Sequence, residues 1–150
     1  MALTGCSLVT PPAAAPLTGV AACALGHTWK ADLDDVSAQV LALLKQNGVP
    51  VTEVTATGSL TLDWSIEGRV ALANDYVLTV KTAPAADQVL TVVQTHSGTA
   101  TGAAYINGEV AIPRKWDDSS VSIDAVADNN GAAVDDYGFT IPDTTFDDSV

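Results

Sequence analysis

From Val54 to Ile66 the chain alternates without a break. Val54, Ala56, Gly58, Leu60, Leu62, Trp64 and Ile66 hold one parity, while Glu53, Thr55, Thr57, Ser59, Thr61, Asp63 and Ser65 hold the other. A two-residue period sends successive side chains to opposite faces, so this segment predicts a long strand, buried on one face and wet on the other. Glu67-Gly68 predicts a turn. Val70, Leu72, Tyr76, Leu78 and Val80 then repeat the pattern on the core side until Ala83-Pro84-Ala85-Ala86-Asp87 interrupts it. The run from Gln88 to Ser97 alternates less cleanly, which predicts a strand partly covered on both faces. Tyr105-Ile106-Asn107-Gly108-Glu109-Val110 predicts a type I′ hairpin, whose two central residues need positive φ. Val121, Ile123, Ala125 and Ala127 predict a further strand, Asn129-Asn130-Gly131 a tight turn, and Tyr137, Phe139 and Ile141 a last strand ending before Pro142.

Ahead of Pro50 the period is helical. Leu33, Val36, Val40, Leu43 and Leu44 recur at three- and four-residue spacing, with Leu41 beside them, and predict a helix over 32–47. Asp32 fits the N-cap, Asp34 and Asp35 the first turn, and Lys45 the last; Asn47-Gly48 and Pro50 stop the helix. Together these segments predict an α+β fold, with one N-terminal amphipathic helix packed on a curved antiparallel β-meander of about seven strands. Long strands in one meander curl into a half-barrel or barrel, and the helix would plug or cap its concave side.

Composition narrows the partners. The 150 residues suit one domain with a tail, and eighteen acids against six bases give a net charge of −12. Nucleic acid and anionic membrane surfaces both select basic patches, so neither is an expected partner. Nine of the acids lie from Asp117 onward, and no Lys or Arg follows Lys115. Asp124, Asp128, Asn130, Asp135 and Asp136 bracket a Gly-containing turn and supply oxygen ligands of the kind calcium takes. The spaced acids and distal Glu of an EF-hand loop are missing, however, and a solvated acidic face is the stronger reading. No metal site and no cofactor is expected.

The first residues read Met1-Ala2-Leu3-Thr4-Gly5-Cys6, and a Pro/Ala/Thr-rich stretch without charge runs on to Lys30. Leu3-Thr4-Gly5-Cys6 resembles the lipobox of bacterial lipoproteins. By that resemblance Cys6 is the acylated residue, and an apolar leader is expected ahead of Leu3 in the natural chain. Residues 1–25 then form a tether and 26–150 a single α+β domain. With Gly26-His27-Thr28-Trp29 and a helix before the strands, the arrangement resembles secreted cell-envelope lipoproteins of actinobacteria. It is also similar to lipocalin-like barrels and to half-barrel lipoproteins of the LolA and LppX kind, some of which carry lipids. The resemblance implies an extracytoplasmic protein held to the membrane by the acyl chain on Cys6. Cys23 remains as an odd cysteine. It would pair with Cys6, or with a cysteine beyond Val150, or stay a buried thiol.

Catalytic signals are sparse. His27 and His96 are the two histidines, and neither belongs to a nucleophile or metal motif. His96 in Thr95-His96-Ser97-Gly98 could serve a hydrolase triad, but a strand-end histidine bonded to its neighbours is the stronger reading. Trp116, read in a polar loop after Pro113, is the candidate exposed aromatic contact; Trp64 and Tyr76 fall on buried parity. The expectation is a non-catalytic envelope module that binds or supports a partner. Its pocket or face would be lined by Leu60, Leu62, Leu72, Leu78 and Trp116, and either a lipid-like ligand held by burial or a protein would occupy it.

Overall fold

A computed structural model describes residues 19–65, 67–107 and 110–141. Among these residues seven strands form one antiparallel sheet that is not closed into a barrel. The chain runs α1 (Gly19–Ala24), β1 (His27–Lys30), α2 (Leu33–Gln46), β2 (Val51–Trp64), β3 (Arg69–Thr82), β4 (Leu90–Asn107), β5 (Val110–Asp117), β6 (Ser122–Asn129) and β7 (Ala132–Val134). The strand order is β1-β2-β3-β4-β6-β7, with β5 also on β4. Along its second edge, β4 pairs first with β6 over Leu90–Ser97 and then with β5 over Thr101–Asn107. The predicted plain meander is therefore broken: β5 folds back on the far half of β4, and β6 returns to the near half.

The helix forms where its caps require. Asp32 stands at the N-cap and its Oδ1 accepts from the amides of Asp34 (3.0 Å) and Asp35 (3.5 Å). At the other end Gly48 takes φ +78°, and the Val49 amide donates back to the Leu44 carbonyl at 3.0 Å. Val40 and Leu44 bury into the sheet against Tyr76, Leu78, Val80, Leu90 and Val92, and Ile141 joins the same cluster.

Register explains which residues share that core. Val54 faces Val80, Val80 faces Val92, Val92 faces Ala127, and Ala127 faces Val134, so one apolar row, buried at its centre and half-buried at its ends, crosses five strands. The row Gly58, Tyr76, His96 and Ile123 lies four residues further along. Gly58, at φ +109°, is required there: a Cβ would stand 2.3 Å from the Asp75 carbonyl oxygen.

Three expectations change and one holds. A short strand, β1, precedes α2, and six residues of the stretch read as tether form α1, so the helix is not alone. The third run is covered on both faces as expected, with Thr91 and Val93 half-buried on one, while the other buries two polar residues, Gln94 and His96, 8% and 2% exposed, beside Leu90 and Val92. Trp116 lies within β5 and not in a loop. Finally, Tyr137, Phe139 and Ile141 form no strand; Ile141 is buried in the core and the other two pack against it. Their apolar spacing reflects packing and not a ladder. The Asn130-Gly131 turn does form, with φ +50° and +84°, and joins β6 to β7 through two residues. The Asn107-Gly108 turn falls partly outside the described residues, although β4 and β5 flank it as a hairpin. Leu3 to Cys6, Ile66 and Pro142 also fall outside them.

Candidate functional site

The sheet face opposite α2 carries the odd-numbered residues of β2, β3 and β4. Its rows converge at one end. Asp63 faces Ala71, Ala71 faces Thr101, and Thr101 faces Asp117, a row across four strands. Thr28 of β1 extends it, and its hydroxyl donates to Asp63 Oδ1 at 3.4 Å. In the adjoining row Arg69 faces Ala103, and Ala103 faces Arg114. Together they bound a cleft of about 450 Å³ lined by Asp63, Arg69, Ala71, Thr101, Lys115 and Asp117.

Each wall is built locally. Arg69 leaves a turn in which the Ser65 amide donates to the Arg69 carbonyl at 2.8 Å, and the Arg69 amide donates to Ser65 Oγ at 3.1 Å. The Ala104 amide donates to the Gly68 carbonyl at 2.6 Å and ties this turn to β4. The Arg69 guanidinium pairs with Glu67, and both side chains are largely exposed. The opposite wall rests on a bulge. Between the pairs Ala103–Arg114 and Thr101–Asp117, β5 contains one residue more than β4. Lys115 takes up that residue in a left-handed conformation, φ +56°, costing on the order of 1 kcal/mol. It thereby turns into the cleft. Trp116 falls on the other side, its Cδ2 and Cε3 atoms 3.3 Å from where a Gly102 Cβ would stand.

The Asp117 carboxylate accepts from the Ser119 amide at 3.1 Å. Hydrogen bonds from the Ser119 hydroxyl and then its amide hold the Asp117 carboxyl below the ordinary carboxylate range, so it is ionised at neutral pH. The cleft thus sets two carboxylates and two cationic side chains around a floor of alanine and threonine. Among the described residues no His or Cys lines it. Such a surface can hold a polar ligand by charge and hydrogen bonding.

Comparison with known protein families, curated proteins and solved structures yields no match.

The residues expected at a ligand site are distributed differently. Leu78 is in the core under α2, Leu60 packs against that core, Leu72 is buried, and Leu62 is half-buried on the same face. Trp116 is half-buried. His96 lies in mid-strand and not at a strand end; it stacks on Tyr76 at 4.3 Å and 12°, with Nε2 3.3 Å from Gln94 Oε1. His27 and Trp29 are exposed on β1, and their rings meet edge to face at 6.5 Å. Cys23 is a free, exposed thiol, and Cys6 lies outside the described residues. The acids weighed for calcium shape turns: Asp128 Oδ1 accepts from Gly131, and Asp136 Oδ1 from Gly138, both at 2.9 Å. Among the described residues no three His, Cys, Asp or Glu gather as a metal site would require.

Sequence reading missed the cleft. Asp63 and Thr101 sit on wet parity and look like ordinary solvent-facing positions. The Arg114-Lys115-Trp116-Asp117 run was the one available signal.

Proposed function

We propose that this protein is a non-catalytic binding module of the cell envelope, held outside the membrane by an acyl chain on Cys6. Its sheet curves as a half-barrel, with the convergent cleft presented to a ligand or partner. The observation that carries this reading is the contrast within one sheet. The face under α2 is filled by Leu44, Leu78, Val80 and Val92, while the opposite face holds a cleft with four charged side chains. Function in such a fold rests with exposed chemistry grafted on a closed core. Support for the anchor comes from the Leu-Thr-Gly-Cys sequence and the uncharged tether after it. Among the described residues no helix is long and apolar enough to cross a membrane.

Two measurements test this. Native cells fed labelled palmitate should label the wild-type chain and leave Cys6→Ala unlabelled; equal labelling, or none in either, removes the anchor. Native mass spectrometry of protein from those cells should show a non-covalent adduct that disappears in an Arg69→Ala/Lys115→Ala double variant. An adduct of lipid mass that survives the double substitution would instead assign the ligand to the apolar side, through Leu60, Leu62, Leu72 and Leu78. Absence of any adduct would overturn the cleft as the site.

A further inference from the structure

Part of the outer edge of β2 has no strand partner among the described residues. β1 pairs only with Thr61–Trp64. The Leu60 and Trp64 carbonyls accept from Ala31 (2.9 Å) and Gly26 (2.7 Å), so the even residues of β2 direct their backbone groups outward. The register with β3 runs unbroken from Glu53 to Trp64. Val54 and Ala56 therefore also point N–H and C=O outward, and no strand among the described residues pairs with them there.

Other edges carry protection that this one lacks. β1 has four residues and β7 three, β5 contains Pro113 and Lys115, and the part of β6 that β7 leaves unpaired, Ser122–Val126, carries Asp124; short length, proline and charge are the usual blunting devices. Val54-Thr55-Ala56-Thr57 has none of them. Beside it lies a second cleft, of about 460 Å³, between this strand and the flank of α2, lined by Asp34, Ser37, Ala38, Leu41 and Val54 to Thr57. A strand edge with a helix alongside is the geometry in which an extended peptide is added to a sheet, the backbone supplying affinity and the groove selecting side chains.

Charge selects the occupant. Asp34 opens into the groove, with Asp32 and Asp35 next to it at the helix start. At the far end Glu53 is already paired with Lys81 at 2.7 Å. A second copy of the chain would bring another net charge of −12 to the same edge, which like-charge repulsion opposes. We infer that the groove between α2 and the free edge of β2 takes up, as an added strand, an extended basic segment of a partner protein. The surface is separate from the Arg69/Lys115 cleft, so either can fail without the other.

The probe is a blocked hexapeptide, acetyl-Lys-Val-Thr-Val-Thr-Arg-amide, titrated into the whole chain and followed by backbone amide NMR. Shift changes should centre on Val54–Thr57 and on Asp34–Leu41. Methylating alternate peptide nitrogens, or replacing its Lys and Arg by Glu, should weaken binding at least about tenfold. So should Ala56→Pro, which removes an outward N–H and is tolerated at an edge, and Ala38→Arg, which fills the groove on an exposed helix position without touching the sheet. Arg69→Ala/Lys115→Ala should change nothing. No binding at millimolar peptide, or equal binding of the methylated peptide, overturns the proposal. So does undiminished binding by Ala38→Arg. Self-association abolished by Ala56→Pro would give the edge to a second copy and likewise overturn it.

Discussion

The two faces of β2, β3 and β4 are made of alternate residues of the same strands, yet they differ in almost every physical respect. On the α2 side, Val70, Leu78, Val80 and Val92 are at most 2% exposed. On the other side Thr55, Thr57, Asp75, Thr95 and Ser97 are exposed, and Val77, Thr79 and Val93 are half-buried. A shift of one residue along a strand moves a side chain from the region that stabilises the fold to the region that can contact something else. Mutational cost should therefore alternate along β3, and binding effects should alternate out of phase with it.

The largest effect is expected at the filled face. Leu78→Ala should lower unfolding free energy by about 2–5 kcal/mol, because a buried side chain leaves a cavity. Its neighbour Thr79→Ala should cost no more than about 1 kcal/mol. Urea denaturation measures both, and similar losses at the two positions would break the comparison.

The glycines sharpen it. Gly98 has φ +93°, and an added Cβ would stand 1.9 Å from the Ser120 carbonyl oxygen; Gly131 has φ +84° with open space around it. Gly98→Ala should cost about 2 kcal/mol or more, and Gly131→Ala about 1 kcal/mol, since only the first adds a backbone clash to the conformational penalty. Thermal unfolding of the pair separates the two contributions.

At the cleft the sign should reverse. Lys115→Gly relieves a left-handed non-glycine residue and should be neutral or stabilising by up to about 1 kcal/mol, while removing a cation from the cleft. Loss of the bound adduct without loss of stability would show that Lys115 serves contact and not folding.

The smallest effect concerns Asp117. Its NMR titration should fall below the ordinary value of about 3.9, and Ser119→Ala should move it back up. Because the folded-state value is depressed, the contribution is present above the unfolded-state value and is lost as pH falls through the folded one. An unchanged titration in Ser119→Ala would exclude the Ser119 hydroxyl bond as its main cause, since the backbone amide bond remains in that variant.

Much of this fold is legible in the sequence, because parity and capping are local. Asp32 and Asn47 mark the ends of α2, and the even residues from Val54 to Val80 mark the core face. What stayed hidden depends on contacts distant in sequence. His96 and Gln94 look misplaced in an apolar row until the register sets His96 beside Tyr76 and Gln94 beside Leu78. Tyr137 and Phe139 alternate like a strand but pack as an irregular segment. The cleft needs four strands in register and one bulge at Lys115, and no local pattern announces either.

Thiol accessibility tests the division of faces most directly. In a Cys6→Ser/Cys23→Ser background, single cysteines at Val77, Leu78, Thr79 and Val80 would be labelled under native conditions. Cysteines at Val77 and Thr79 should react about a hundredfold or more faster than those at Leu78 and Val80, whose exposure requires the sheet to open. Equal rates at all four positions, or faster labelling at Leu78 and Val80, would contradict the account.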